Sequence, residues 1–267
     1  MRESFRGVGT RPRVVAMTRI ALITGGSRGL GRNTALHLAR QGVDLVITYR
    51  TAAAEAEAVV AEARQLGRTA VALPLDAGDS GTFAAFTGAV RDELAHRWGR
   101  DTFDFLVNNA GIGRNAPFGE VTEDVFDELM NVHLKGVFFL TQALLPLLAD
   151  GGRIVNLSTG LTRFTLNGYS AYASMKGAVE VLTRYLAKEL GPRGIAVNTV
   201  APGPVETDFS GGVVRDNAEL NSFLAAQTAL GRTGQPDDIG ASIAALLTDG
   251  TGWITAQRIE ISGGTFL

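Results

Sequence analysis

Short apolar runs alternate with longer segments of helical periodicity along most of the chain. Residues 19–24 form an apolar run that ends at Gly25-Gly26, which is typical of a buried parallel strand. The other runs with strand character lie at 43–48, 70–75, 103–107, 153–157, 195–200 and 258–261. Segments with helical character lie between them, at 32–41, 52–66, 82–98, 122–148, 172–190 and 237–247. The alternation predicts a doubly wound α/β fold (Rossmann fold), a seven-stranded parallel sheet with helices on both faces.

Two segments depart from this rhythm. Residues 1–18 carry four arginines against one acid, and we expect a disordered extension or an upstream start with the core beginning near Met17. A transit peptide is the alternative. Residues 19–267 are predicted to form a single dinucleotide-binding catalytic domain. Within it, residues 204–233 are the longest stretch without a clear strand–helix unit, which makes them the candidate substrate lid.

Composition narrows the classes of function. Charged residues make up 19% and the formal net charge is −2, so we expect neither nucleic acid nor an anionic membrane as a partner. No run approaches the ~20 apolar residues of a membrane helix. The chain has no cysteine, which excludes disulfides and thiolate chemistry and is compatible with a cytoplasmic location. His37, His96 and His133 lack metal-ligand spacing, so we expect structural or surface roles and no metal.

A glycine-rich turn joins the first strand to the first helix. It comprises Thr24, Gly25, Gly26, Ser27, Arg28, Gly29, Leu30 and Gly31. Amide groups at a helix N-terminus bind pyrophosphate, and glycines let the backbone approach it closely. Such a turn can also serve only to link a strand to a helix. Its place at the carboxyl end of the first strand favours a dinucleotide site.

The residues that end the second strand indicate which nicotinamide cofactor binds. Tyr49 stands where an acid would bind the ribose 2′-hydroxyl, and Arg50 follows it. Arg28 lies in the glycine turn, and two guanidinium groups can hold one phosphate. The alternative is that both are solvated surface arginines. We predict NADPH over NADH.

The candidate catalytic residues are Tyr172 and Lys176, which are four apart and so share one helix face. A free tyrosine has a pKa of about 10, and a nearby ammonium favours its ionised form. General acid–base catalysis improves as that pKa approaches the working pH. Ser158 ends a strand earlier in the chain and could hold a substrate carbonyl oxygen beside the tyrosine. It could also be an ordinary turn serine.

The order of these motifs resembles that of the short-chain dehydrogenase/reductase family, from residue 19 to the C-terminus. The resemblance rests on the glycine turn, on Asn108-Asn109-Ala110-Gly111 after the fourth strand, on Asn131, Ser158 and Tyr172-Ala173-Ser174-Met175-Lys176, and on Pro202-Gly203. The chain is most similar to the 3-oxoacyl-carrier-protein reductase and sugar-alcohol branches. The Ser174-Met175 pair is a mild departure from many relatives.

The resemblance implies a catalytic tetrad of Asn131, Ser158, Tyr172 and Lys176. In it, Tyr172 donates a proton, Ser158 stabilises the alkoxide, Lys176 also binds the nicotinamide ribose, and Asn131 positions a water that links Lys176 to solvent. The further cofactor contacts that it implies are Asp76 and Ala77 at the adenine, Asn109, Ala110 and Gly111 at its ribose, and Pro202, Gly203, Val205 and Thr207 at the carboxamide.

These residues together predict NADPH-dependent reduction of a ketone or 3-oxoacyl carbonyl group in a small-molecule substrate. Oxidation of an alcohol or sugar is the alternative direction, and a non-catalytic NADPH-binding sensor is the alternative class of function. The resemblance also implies a homotetramer or homodimer. Apolar residues in the loops after the catalytic strands, namely Leu161, Phe164, Leu166, Phe209 and Phe223, suggest a partly apolar pocket.

Overall fold

The computed structural model describes residues 18–248 and 250–267. Seven parallel strands form one sheet in the order β3-β2-β1-β4-β5-β6-β7. The strands are β1 Ile20–Ile23, β2 Asp44–Tyr49, β3 Ala70–Pro74, β4 Phe103–Asn108, β5 Leu148–Leu157, β6 Ala196–Pro202 and β7 Arg258–Ile261. The helices are α1 Gly29–Arg40, α2 Ala53–Gln65, α3 Phe83–Trp98, α4 Glu123–Met130, α5 Gly136–Leu144, α6 Ser170–Leu190, α7 Val213–Asp216, α8 Ala218–Ala226 and α9 Pro236–Leu247.

The central strands are buried on both faces, which explains why they appear in the sequence as unbroken apolar runs. Every residue of β1 and β6 is buried. Helices α1, α2 and α9 supply the core on one face of the sheet, and α3, α5 and α6 supply it on the other. The strand order turns at β1 and β4, and ligands of such sheets bind at that switch point. The doubly wound, seven-stranded prediction is confirmed.

The long helical region predicted at 122–148 is divided in the structure. Thr122 caps α4 by accepting a hydrogen bond from the amide of Val125. One turn of π-helix, Asn131–Lys135, then separates α4 from α5. The last predicted residue, Leu148, belongs to β5 rather than to the helix. A π-turn inside a helix frequently marks a functional site, and this one faces the cavity described below.

Residues 204–233 contain two short helices, α7 and α8, in place of the irregular segment that the sequence suggested. Three consecutive residues before α7, Ser210, Gly211 and Gly212, have positive φ angles of 53°, 73° and 79°. This left-handed backbone turns the chain back over the carboxyl ends of the strands. Part of the segment therefore covers the cavity, as a lid would, and its opening and closing stay a prediction.

Residues 1–17, which make up most of the expected N-terminal extension, lie outside the described residues. Within 18–248 and 250–267, none of the helices combines the length and the apolar character needed to cross a membrane.

Candidate active site

A cavity of about 450 Å³ lies at the carboxyl ends of the strands, at the switch point of the sheet. It collects side chains from segments that are far apart in sequence: the glycine turn, the ends of β2 to β6, the start of α6 and the lid. Most of the residues predicted to bind cofactor line this cavity. They are Gly25, Ser27, Arg28, Gly29, Leu30, Tyr49, Arg50, Asp76, Ala77, Asn109, Ala110, Gly111, Tyr172, Lys176, Pro202, Gly203, Val205 and Thr207.

Two predicted cofactor residues at the ends of the glycine turn, Thr24 and Gly31, do not line the cavity. The Thr24 hydroxyl accepts hydrogen bonds from the amides of Asn109 and Ala110, at 3.0 and 2.9 Å. A Cβ on Gly31 would lie 2.2 Å from the carbonyl oxygen of Gly25. Both residues help to bring the loop after β4 against the glycine turn, and their predicted contact with the cofactor stays a prediction.

The glycine turn has the backbone that its sequence requires. Gly25 and Gly29 have φ angles of +65° and +54°, which side-chain-bearing residues rarely adopt. A Cβ on Gly25 would also lie 3.0 Å from the Cα of Ala110. The turn opens directly into α1, whose N-cap residue Arg28 makes no side-chain cap, and amides at such a helix start suit a pyrophosphate.

Arg28 and Arg50 lie on the exposed rim of the cavity, beside Tyr49. Of the ion pairs formed within the described part of the chain, none involves either guanidinium group. Their neighbour Arg32, in contrast, is held by Glu62 at 2.6 Å. Two uncompensated guanidinium groups at one rim suit a phosphate monoester, and the residues present therefore fit a 2′-phosphorylated dinucleotide.

Asp76 follows β3, caps a turn and also lines the cavity. Its carboxylate accepts a hydrogen bond from the amide of Gly78 at 2.8 Å, as a turn-capping aspartate does. The same residue lines the cavity together with Ala77. The turn therefore fixes a carboxylate at the β3 side of the cavity, opposite the side formed by β6.

Tyr172 and Lys176 lie on the first turns of α6 and are almost completely buried, at 7% and 4% exposure. The Lys176 ammonium donates to the carbonyl oxygen of Leu157 at 2.7 Å and lies 5.9 Å from the centre of the Tyr172 ring. The helix begins at Ser170, two residues before the predicted start, so both side chains lie on regular helix. Their shared face points into the cavity.

Burial sets the protonation of both groups. It lowers the pKa of Lys176 from 10.5 to about 7, because an ammonium loses its hydration there. Burial also raises the pKa of Tyr172 above its usual value of 10, and hydrogen bonding from the Thr159 side chain partly opposes that rise. Desolvation is therefore the largest influence on the Tyr172 pKa, and the expectation that the Lys176 ammonium favours the ionised tyrosine stays a prediction.

The residue expected to hold the substrate carbonyl, Ser158, is turned away from Tyr172. Its hydroxyl donates to the carboxylate of Glu180 at 2.7 Å. The next residue, Thr159, is the one whose side chain interacts with the Tyr172 phenol. Thr159 has extended backbone angles, and successive side chains of extended chain point to opposite sides. Both residues line the cavity, and the hydroxyl that lies beside the tyrosine belongs to Thr159 rather than to Ser158.

Asn131 is also displaced from its expected place. Within the described chain it does not line the cavity, whereas His133 does. The His133 ring is fully buried and stands edge-on to Tyr172, with 5.1 Å between ring centres. Residues two apart on a helix do not face the same way, so Asn131 and His133 cannot share this position.

His133 is held as a neutral imidazole. Its Nε2 lies 2.8 Å from the carbonyl oxygen of Ile112, and burial followed by the charge of Lys176 lowers the pKa of His133 to about 3. Gly111 makes room for the ring, since a Cβ there would lie 2.8 Å from it. The sequence offered one signal for this contact, the glycine of the loop after β4, but nothing that linked it to a particular side chain of the next helix.

The remaining wall of the cavity is apolar and partly aromatic. Tyr169 and Phe209 flank Tyr172, with ring centres 6.4 and 6.0 Å from it. The other apolar lining residues come from the turn after β5 and from the lid: Leu161, Phe164, Leu166, Val213, Val214, Leu220 and Leu224. The predicted partly apolar pocket is therefore present, although Phe223 lies behind it, 6.4 Å from the Phe266 ring.

Comparison with known proteins agrees with this geometry. Residues 25–265 match a family model described as enoyl-(acyl carrier protein) reductase. The 3-oxoacyl-[acyl-carrier-protein] reductase FabG of Staphylococcus aureus is 36% identical over 253 residues, 94% of this chain and 99% of that protein. Among solved structures, LugOII, titled a promiscuous reductase that catalyses keto-reduction at C1 in lugdunomycin biosynthesis, matches with a TM-score of 0.89 and 37% identity, over 94% of this chain and 99% of that one.

A second solved structure, the angucycline C-6 ketoreductase LanV with bound NADP, matches with a TM-score of 0.89 and 34% identity, over 94% of this chain and 96% of that one. Together with the glycine turn at the switch point and the tyrosine–lysine pair on α6, these matches cover nearly the whole catalytic fold. The chain belongs to the short-chain dehydrogenase/reductase family of oxidoreductases.

Proposed function

We propose that this enzyme reduces a ketone to a secondary alcohol with NADPH as the hydride donor. The observation that carries the proposal is the buried Tyr172–Lys176 pair, which lies in the same cavity as the glycine turn and the two unpaired rim arginines. When bound, NADPH supplies the hydride. Structural neighbours solved with NADP, LanV among them, support this choice of cofactor.

The chain's own residues divide the remaining work. Arg28 and Arg50 hold the 2′-phosphate, and the amides at the start of α1 hold the pyrophosphate. Tyr172 donates its phenolic proton to the substrate oxygen as negative charge develops there. The Thr159 hydroxyl, whose oxygen accepts from the Leu161 amide and which interacts with the Tyr172 phenol, turns its proton to the substrate oxygen and donates a second hydrogen bond to it. This assigns to Thr159 the role expected of Ser158.

Lys176 and His133 complete the site. Lys176 keeps one hydrogen bond to the Leu157 carbonyl oxygen, and its two further protons would be available to a bound cofactor ribose and to Tyr172. His133 fixes the wall behind the phenol and takes the place expected of Asn131. The proton that Tyr172 gives up is restored through Lys176, whose pKa of about 7 lets it exchange protons near neutral pH.

Three variants test this division of roles. Tyr172→Phe is expected to abolish turnover while NADPH still binds, as followed by cofactor fluorescence. Thr159→Val is expected to lower kcat/KM by about 10²-fold, the typical loss of one hydrogen-bond donor to a developing oxyanion. The matched variant Ser158→Ala should lose much less. A larger loss in Ser158→Ala than in Thr159→Val would overturn the assignment of Thr159.

Cofactor choice has its own test. Replacing Arg28 and Arg50 by alanine should raise the Michaelis constant for NADPH far more than that for NADH, because only NADPH carries the phosphate that the guanidinium groups bind. Equal effects on the two cofactors would contradict the assignment.

For the substrate we propose a free apolar ketone that contains an aromatic ring system and is not attached to a carrier as a thioester. The keto-reductions named for LugOII and LanV support it, as do the rings of Tyr169 and Phe209 around Tyr172. A panel of aromatic ketones, 3-oxoesters, 3-oxoacyl thioesters and keto-sugars, assayed with NADPH, tests it. Highest kcat/KM on the thioesters would favour the 3-oxoacyl alternative, and alcohol oxidation with NADP⁺ in the same panel gives the preferred direction.

We further propose a homotetramer, with a homodimer as the alternative. Helices α5 and α6 carry large side chains that are exposed in the single chain: Phe138, Phe139, Val181 and Tyr185, at 43%, 44%, 44% and 65%. An apolar face of this kind on two neighbouring helices suits association with a second copy. Cytoplasmic location stays a prediction.

A further inference from the structure

The Glu180 carboxylate lies under the turn that carries Thr159, and three donors converge on one of its oxygens. The Oε1 atom accepts from the hydroxyls of Ser158 and Thr162, both at 2.7 Å, and from Nε of Arg258 at 2.9 Å. The Glu180 side chain is only 14% exposed, so these bonds form largely out of water. Glu180 is therefore attached to both ends of the turn 158–162.

Arg258 extends this contact to the backbone of Thr159. One of its Nη atoms donates to the carbonyl oxygen of Thr159 at 3.2 Å, and the Thr162 hydroxyl lies 3.0 Å from that same oxygen. Arg258 belongs to β7, the last strand, whereas Glu180 belongs to α6. The backbone of Thr159 is thus held from two elements while its side chain stays directed at Tyr172.

Glu180 and Tyr172 lie on the same helix, eight residues or about two turns apart. A rigid helix therefore connects the proton donor to the carboxylate that holds the turn. We infer that Glu180 is a positioning residue: through Ser158, Thr162 and Arg258 it fixes the Thr159 hydroxyl relative to the Tyr172 phenol, so that one substrate oxygen meets both donors. Neither Glu180 nor Arg258 touches the substrate.

The inference rests on the proposed ketone reduction, and a double-mutant cycle tests it. Glu180→Ala is expected to lower kcat/KM for the ketone by roughly 10- to 100-fold, the scale on which a misplacement of about 1 Å acts. The dissociation constant of NADPH, measured by fluorescence, should stay within about twofold. In a Thr159→Val background, the same Glu180→Ala change should lower kcat/KM by a further factor of less than about three, because the group that Glu180 positions is already absent.

A matched control removes an ion pair of similar length far from the turn. Asp150→Ala breaks the 2.7 Å pair with Arg193 at the other end of β5 and should change kcat/KM by less than about twofold. Fully additive losses in the cycle, or an equal loss of NADPH affinity in Glu180→Ala, would show a general structural role and overturn the inference. If Glu180→Ala does not fold, Glu180→Gln keeps the volume of the side chain and enters the same cycle.

The outcome for the wild-type protein separates this inference from the proposed function. Absence of NADPH-dependent ketone reduction by the wild type would refute the function alone. Crystal structures of the wild type and Glu180→Ala then decide the positioning, since the inference requires the Thr159 hydroxyl to leave the Tyr172 phenol in the variant. An unmoved Thr159 would overturn it.

Discussion

Burial of Lys176 predicts an unusual dependence of stability on pH. The folded protein holds this ammonium with a pKa of about 7, against 10.5 for an exposed lysine. Because the folded pKa is depressed, the unfolded chain binds more protons between these two values. The free energy of unfolding therefore rises with pH from about 7 towards 10.5, and the gain is lost as pH falls through 7.

The magnitude follows from the same two values. At pH 7 the unfolded chain binds about half a proton more than the folded protein at this site, and near pH 9 it binds about one more. With 1.36 kcal/mol per unit of pH for each proton, the Lys176 contribution improves by about 2 kcal/mol between pH 7 and pH 9. Lys176→Met removes the titrating group, so this part of the pH dependence should disappear in the variant.

Urea unfolding of the cofactor-free protein at pH 7 and pH 9 measures the effect. The quantity of interest is the change with pH in the wild type minus that in Lys176→Met, in which the effects of all other groups cancel. Lys188→Met is a matched control, because it removes an exposed lysine of the same helix and should keep the wild-type change. If Lys176→Met also keeps it, Lys176 does not titrate as an isolated buried ammonium.

Three further predictions address the turn, a helix start and assembly. Gly31→Ala places a Cβ 2.2 Å from the Gly25 carbonyl oxygen, so NADPH affinity should fall at least 10-fold. Fluorescence titration measures this affinity, and an unchanged value would show that the turn can shift freely. Asp238→Asn should cost about 1 kcal/mol at pH 7, because the carboxylate accepts from the Arg232 guanidinium and caps α9 through the Gln235 amide, and these donors, Arg232 first, lower its pKa to about 2. That cost should shrink as pH falls from 4 to 2 in chemical unfolding, and a constant cost would contradict the ionic contribution. Tyr185→Glu puts a charge on the exposed apolar face and should lower the mass found by light scattering to that of a smaller assembly; an unchanged mass would remove this face from the interface.

The fold was predictable because its physical signature lies in local sequence. Strands covered on both faces must be apolar throughout, and the glycine turn must follow the first of them. The π-turn at Asn131–Lys135 was not predictable, because its residues have no distinctive composition. It depends on the close approach of α5 to the chain after β3, where a Cβ on Gly136 would lie 2.0 Å from the carbonyl oxygen of Ala77.

The two displaced site residues share one cause. Sequence motifs identify a side chain by its type, whereas the site depends on the direction in which it points. Ser158 and Thr159 both carry hydroxyls, and only the extended backbone at the end of β5 decides which of them meets Tyr172. Asn131 and His133 lie two residues apart on a helix, which turns them to different sides. In both pairs, assigning the role to a residue one or two positions away selects a side chain that points to a different side.

Stability and catalysis place opposite demands on Lys176. Lys176 can favour the ionised form of Tyr172 only while it carries its charge, and with a pKa of about 7 the ammonium prevails below pH 7. The folded protein gains stability from the opposite change, loss of that charge as pH rises. A bound cofactor phosphate and ribose would add hydrogen-bond acceptors and negative charge to the cavity, and these favour the ammonium. Cofactor binding should therefore raise the Lys176 pKa, and the retained ammonium charge then offsets part of the desolvation that raises the Tyr172 pKa. Proton uptake on NADPH binding near pH 8, measured by calorimetry in buffers of different ionisation enthalpy, should be clear in the wild type and absent in Lys176→Met, and equal uptake in both proteins would refute this coupling.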